Sequence, residues 1–191
     1  MAKKPRADDA RVRSESRRSE RLLEPTLQNV DALDVEAVVV GLCRDVRPLA
    51  GVLGMIDWRL CGRVSRLVAA GAITGVDGER VLMPTHGRIP APRLFFYGWG
   101  DADAVEARRA VHVAAMAEMV ARAGVHRVAF AFPEPAGELV LDTADVERCF
   151  GARLVAFFGA DPLGAEALAA ETTARDPRGA SPRGSSDELV D

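Results

Sequence analysis

Lysine is nearly missing from this 191-residue chain: only Lys3 and Lys4 occur, and every later basic residue is Arg. Arginine's planar fork suits phosphate or carboxylate recognition. The abundance of Ala, Gly, Val and Arg also fits the codon usage of a GC-rich genome. Cysteine is sparse as well. Cys43, Cys61 and Cys149 are an odd number, widely spaced and without a Cys-x-x-Cys pair, which excludes a disulfide framework and a zinc site. Each lies in or beside an apolar run, so the expectation is buried free thiols in a reducing cytoplasm. No apolar segment approaches the roughly 20 residues needed to span a bilayer. The start, basic but followed by charges, predicts no secretory signal.

Motifs for chemistry are equally scarce. No Gly-x-Ser-x-Gly elbow or phosphate-binding loop occurs, and no nucleophile has a candidate triad. His86 falls in a Pro/Gly loop, His112 on a helix and His126 before a strand. None has metal-ligand spacing, and the expectation for each is a surface or capping position. No metal or cofactor is implied.

What is present describes one folded unit with tails. The formal charge of −3 implies no particular partner. It is unevenly spread: residues 1–30 carry eight Lys/Arg against five Asp/Glu, and 161–191 carry three against seven. Residues 1–32 read as a disordered charged arm, whose leucines near Leu22 and Leu27 cannot form a core face alone. Residues 171–191 read as a disordered, acidic, Pro/Gly/Ser-rich tail. The folded domain is then 33–170.

Inside it, Val35 to Cys43 is too apolar for a half-exposed strand and belongs in a sheet covered on both faces. Asp57 can cap a helix carrying Leu60, Val64, Leu67 and Val68, which Gly71 ends. Arg80–Met83 and Leu94–Tyr97 are strands, separated by a Pro- and Gly-rich loop. After Gly98-Trp99-Gly100, capped by Asp101 or Asp103, comes a long helix. Its Ala107, Ala110, Ala114, Ala117 and Ala121 fall on one stripe, read as the sheet-facing side. Val111, Ala115 and Met119 lie among the charges of the outer side and form a candidate interaction surface. Gly124 ends this helix and Arg127–Phe132 returns to the sheet. A short helix capped by Thr143 or Asp145, a strand Leu154–Phe158 and a helix Pro162–Thr173 complete a three-layer α/β domain, with helices on both faces of a mixed sheet.

The ordered set Val38-Val-Val-Gly-Leu42, Arg80-Val-Leu-Met-Pro84, Arg93-Leu-Phe-Phe-Tyr-Gly-Trp-Gly100, the Arg-bearing alanine-rich helix, and Gly124 to Pro133 resembles the amino-terminal domain of the leucine (cytosol) aminopeptidases. The match runs over about residues 35–133. The resemblance implies a macro-domain-like fold. In the family that domain precedes a catalytic domain holding two divalent metals, and it contributes to hexamer assembly. The family's catalytic Asn-Thr-Asp-Ala-Glu-Gly-Arg segment has no counterpart here, so no catalytic residue carries over and no enzyme activity is expected.

Three functions follow as expectations. The first is a non-catalytic domain acting in assembly or regulation, with itself or with a leucine aminopeptidase. The second is an ADP-ribose or nucleotide module, in which Gly98 and Gly100 present N–H groups to an anion at a helix N-terminus. Asp101 and Asp103 would repel a phosphate there. The third is one component of a split metal-dependent aminopeptidase. The expected partner is a protein or a second copy of the chain, in the cytoplasm. Membranes are excluded, and the arm's small net charge disfavours nucleic acid.

Overall fold

Alternation of apolar side chains along the strands builds two cores, one on each side of a single sheet. The structure is a computed structural model that describes residues 21–133 and 144–159, all within the unit Met1–Ala160. In chain order its elements are β1 (Leu22–Leu23), α1 (Leu27–Asp31), β2 (Ala37–Cys43), α2 (Gly51–Arg59), α3 (Arg63–Ala69), β3 (Arg80–Pro84) and β4 (Arg93–Gly100). There follow α4 (Val105–Arg122), β5 (Val128–Ala131), α5 (Ala144–Phe150) and β6 (Leu154–Phe158). The strands lie in the order β1-β6-β5-β2-β4-β3. All neighbours are parallel except β3, which runs antiparallel to β4 at one edge.

All seven residues of β2 are buried, as a strand covered on both faces requires. Val38, Val40 and Leu42 point into one core, with Leu94, Phe96 and Phe158, under Val30 of α1, Ile56 of α2 and Val64 of α3. Ala37, Val39 and Cys43 point into the other, with Phe95, Tyr97, Trp99, Phe130 and Phe157, under α4 and α5. The expected three layers are therefore present.

Four local expectations need correction. Residues 21–32 are ordered: Leu22 and Leu23 pair with Phe157 and Phe158, and Val30 is fully buried. The short leucine segment needs no core of its own, because it completes the sheet edge and the first core. The single helix expected after Asp57 is two helices. Cys61 and Gly62, both at positive φ, break the chain between them. Asp57 sits within α2, yet its carboxylate accepts from Val64 N at 2.7 Å and Ser65 N at 3.2 Å, capping α3.

The alanine stripe of α4 is also reversed, except at Ala117, which is buried in the second core. Ala107, Ala110, Ala114 and Ala121 are exposed, and Val105, Val113, Met116 and Val120 face the sheet. The larger side chains remove more apolar area from water, so they decide which side is buried. Lastly, Cys61 is exposed and Cys149 half-buried; only Cys43 is fully inside. Thr143, the tail 171–191, residues 1–20 and the helix expected over Pro162–Thr173 lie outside the described residues. Among the described residues no helix is long and apolar enough to cross a membrane.

Candidate functional site

The parallel strands β2 and β4 end side by side, and an α/β sheet presents its loops to ligands at such ends. Leu42 pairs with Gly98 and Cys43 with Gly100, which leaves Trp99 as an extra residue in a bulge. Alternation with Phe95 and Tyr97 keeps Trp99 in the second core. It is fully buried there, 4.9 Å from His112 and 6.0 Å from Phe132 between ring centres.

Both glycines flanking the bulge are engaged by the 74–79 loop. Gly98 N donates to Glu79 O at 2.8 Å, Gly98 O accepts from Gly78 N at 3.0 Å, and Gly100 N donates to Gly75 O at 3.0 Å. A Cβ on Gly98 would lie 1.9 Å from Val76 O. Gly100 has φ 75°. Glycine is thus demanded at 98 by close approach of another backbone and at 100 by a left-handed turn. Neither residue has a free N–H for an anion, which corrects the expectation placed on them. The loop is itself closed: the Glu79 carboxylate accepts from Thr74 N at 2.9 Å and Gly75 N at 2.7 Å.

Among the described residues, further charged side chains at this edge pair with the chain's own groups. Arg44 grips the Asp101 carboxylate with two donors, which raises the guanidinium's pKa and lowers that of the exposed carboxyl. Arg47 donates to Cys43 O at 2.8 Å, Val46 O at 2.6 Å and Thr74 O at 3.3 Å. The Asp45 carboxylate accepts from Ala102 N at 3.0 Å, occupying the helix start where a bound anion would sit. One cavity here, bordered by Gly41, Cys43, Val46, Leu53 and Phe132, has a volume of about 20 Å³. That admits one water, against roughly 300–1,000 Å³ for a small-molecule site. Burial, helped by Asp45, pushes the Cys43 thiol up to about 11.

His112 was expected at a surface or cap and is instead buried under Tyr97 and Trp99. Neither ring nitrogen has a hydrogen-bond partner, and the nearest carboxylate oxygen, on Asp77, stands 3.6 Å from Nε2. Loss of hydration holds its pKa below the ordinary 6.5, with Asp77 opposing and Arg108 adding. Arg108 itself pairs with Asp77 across the loop. His86 and His126 are exposed, and His126 N donates to the Glu36 carboxylate at 2.8 Å.

The proposed interaction trio on α4 does not form one patch. Val111 is 70% exposed, Ala115 is half-buried against the second core, and Met119 belongs to that core. A different surface feature went unnoticed in the sequence. At the opposite end of the sheet, Trp58 is 64% exposed and lines an open groove with Gly54, Arg59, Cys61 and Arg88. An apolar residue at a helix end is not distinctive in sequence; within α2, Val52, Leu53 and Ile56 take the buried side and Trp58 faces out. Among the described residues no group of three or more His, Cys, Asp or Glu is placed to hold a metal ion.

No family model matches the chain. A probable cytosol aminopeptidase of Geobacter sulfurreducens is 33% identical over 119 residues, covering 61% of this chain and 24% of that protein. Another, of Alkaliphilus metalliredigens, is 28% identical over 95 residues, covering 50% of this chain and 19% of that protein. Among solved structures, a mutant of tomato leucine aminopeptidase superposes with a TM-score of 0.51 at 14% identity, over 79% of this chain and 35% of that one. The macrodomain of Mycobacterium tuberculosis DarG superposes more loosely, with a TM-score of 0.49 at 14% identity. The expected likeness to the cytosol aminopeptidases is borne out, over half or more of this chain but a quarter or less of the curated relatives it matches.

Proposed function

We propose that this domain is non-catalytic and acts through assembly, with a second copy of itself or with an aminopeptidase of the kind it resembles. The observation that carries this reading is the sealed strand end. The position a nucleotide or substrate would take is occupied by the 74–79 loop, by Arg44 and Arg47, and by the Asp45 carboxylate on Ala102 N. Meanwhile large apolar groups stand in solvent elsewhere, at Trp58 and Val111, and exposed aromatic and aliphatic anchors of this kind favour protein contacts.

The test is sedimentation velocity of the purified chain, alone and mixed with the aminopeptidase of the same cell. Self-association or a joint boundary is expected, and a strict monomer that ignores the enzyme overturns the reading. Calorimetry with ADP-ribose is expected to give no heat at millimolar ligand. Leucine-anilide hydrolysis with manganese or zinc is expected to give no turnover. A clear signal in either would replace assembly with the corresponding activity.

A further inference from the structure

The groove at the far end of the sheet has the chemistry of a binding surface. It lies where α2 ends, α3 begins and the β3–β4 loop passes, with a volume of about 740 Å³. Trp58 forms one wall. Its ring carries the Arg59 guanidinium at 4.6 Å, and Arg59 is fixed in turn by two donors to the Asp31 carboxylate. The indole is therefore oriented before any partner arrives, which reduces the ordering cost of binding.

Two further guanidiniums converge on the Cys61–Gly62 turn. Arg66 Nη1 donates to Cys61 O at 2.7 Å, and Arg88 Nη1 lies 3.4 Å from Cys61 Sγ. Neither Arg66 nor Arg88 has a carboxylate partner among the described residues. The Asp57 carboxylate also borders the groove; it is buried and its oxygens accept from Val64 N, Ser65 N and the Ser65 hydroxyl, without an ion pair to either arginine. An exposed aromatic plate thus stands beside two planar cations that form no ion pair among the described residues, in a chain whose overall charge is negative.

We propose that this groove binds an acidic peptide segment of a partner protein, with carboxylates on Arg66 and Arg88 and an apolar side chain on Trp58. Guanidinium forks match carboxylates with paired hydrogen bonds, and Trp and Arg are the residues most enriched at interface hot spots. Nucleic acid is the poorer fit. Two free cations cannot follow a phosphate backbone, which tight binders neutralise at roughly 6–10 points. The inference rests on the assembly reading and names the surface it would use.

The experiment is fluorescence anisotropy of a fluorescein-labelled Glu/Asp-rich peptide with one central Leu, titrated with the full chain. Binding at low salt is expected to weaken about tenfold in Trp58→Ala, through the lost apolar contact, and about tenfold in Arg88→Glu, through the lost charge-assisted one. Both side chains are exposed at this surface, and circular dichroism verifies folding of each variant. Failure of the peptide to bind, binding indifferent to both substitutions, or tighter binding of a single-stranded oligonucleotide of equal charge overturns the proposal. Sedimentation separates the two readings. Peptide binding that depends on Trp58 and Arg88 in a protein that never associates upholds the groove and sinks assembly. Association without peptide binding does the reverse.

Discussion

Replacing Gly98 by Ala tests the sealed strand end directly. The added methyl would stand 1.9 Å from Val76 O and 2.9 Å from the carbonyl carbons of Gly75 and Val76, all backbone atoms. No rotamer relieves such a contact, so the 74–79 loop must move off β4. Doing so stretches the bonds Gly98 N to Glu79 O, Gly78 N to Gly98 O and Gly100 N to Gly75 O. Each backbone bond contributes about 1 kcal/mol net, and overpacking costs about 1–3 kcal/mol, so a loss of about 3 kcal/mol is expected. For a unit of this size that lowers Tm by roughly 9 °C. The control is Gly124→Ala, where φ is 67° and nothing lies within 4 Å of the added carbon; backbone strain alone costs about 1 kcal/mol there. Urea unfolding of both variants at one pH gives the comparison. Should Gly98→Ala cost no more than Gly124→Ala, the loop does not clamp the glycines, and the argument against an anion site at this edge collapses.

Other outcomes follow from the same geometry. Asp57→Ala removes the acceptor of two α3 N–H groups from a buried position and should cost about 2–3 kcal/mol in urea unfolding, with Asp57→Asn losing less; equal stability of all three proteins would contradict the cap. His112 is held neutral, its folded pKa lying below the ordinary 6.5. The unfolded chain therefore takes up the proton first, and stability should fall as pH drops below about 6.5 and level off below the folded value. The exposed carboxyls of Asp31, Glu36 and Asp101, also held low, act only in more acidic solution. His112→Phe should flatten the slope between about pH 7 and pH 5; a slope unchanged in this variant rejects the assignment. With a disulfide reagent, exposed Cys61 should react first and the buried Cys43, its thiol near 11, last. Cys61→Ser should abolish the fast phase, and its persistence would show the exposure pattern to be wrong.

The strands were legible because their signal is collective. Val35 to Cys43, Arg80–Met83, Leu94–Tyr97, Arg127–Phe132 and Leu154–Phe158 each concentrate β-branched and aromatic residues between turn residues, and all five are strands in the structure. Burial of single residues was less legible. The alanines of α4 make a regular stripe, but regular spacing does not say which side meets the sheet: only Ala117 of the five is buried, beside Val113, Met116 and Val120. Leu22–Leu23 gave no local signal because its partners, Phe157 and Phe158, lie at the far end of the described chain. Gly98 and Gly100 invited an anion because a Gly-x-Gly before a helix is compatible with both a cradle and a clamp. The loop that distinguishes the two cases lies some twenty residues earlier, and no sequence pattern links them. The groove at Trp58 was missed because Asp57 and Gly71 suggested one continuous helix, in which Trp58 has no reason to protrude.

The sheet also constrains the sequence of events by which this chain acquires its fold during synthesis. β2 emerges early and waits at the centre for β4 and β5, which pair on either side of it. β1 precedes the other described strands in the chain, yet among the described residues its strand partner is β6, and Gly159 N completes the pairing by donating to Leu23 O at 3.1 Å. The first of the described strands is therefore completed only by the last of them. Closing so long a loop for two residue pairs offers little return in enthalpy against the entropy of closure. β1 thus has no strand partner among the described residues until β6 has joined the sheet.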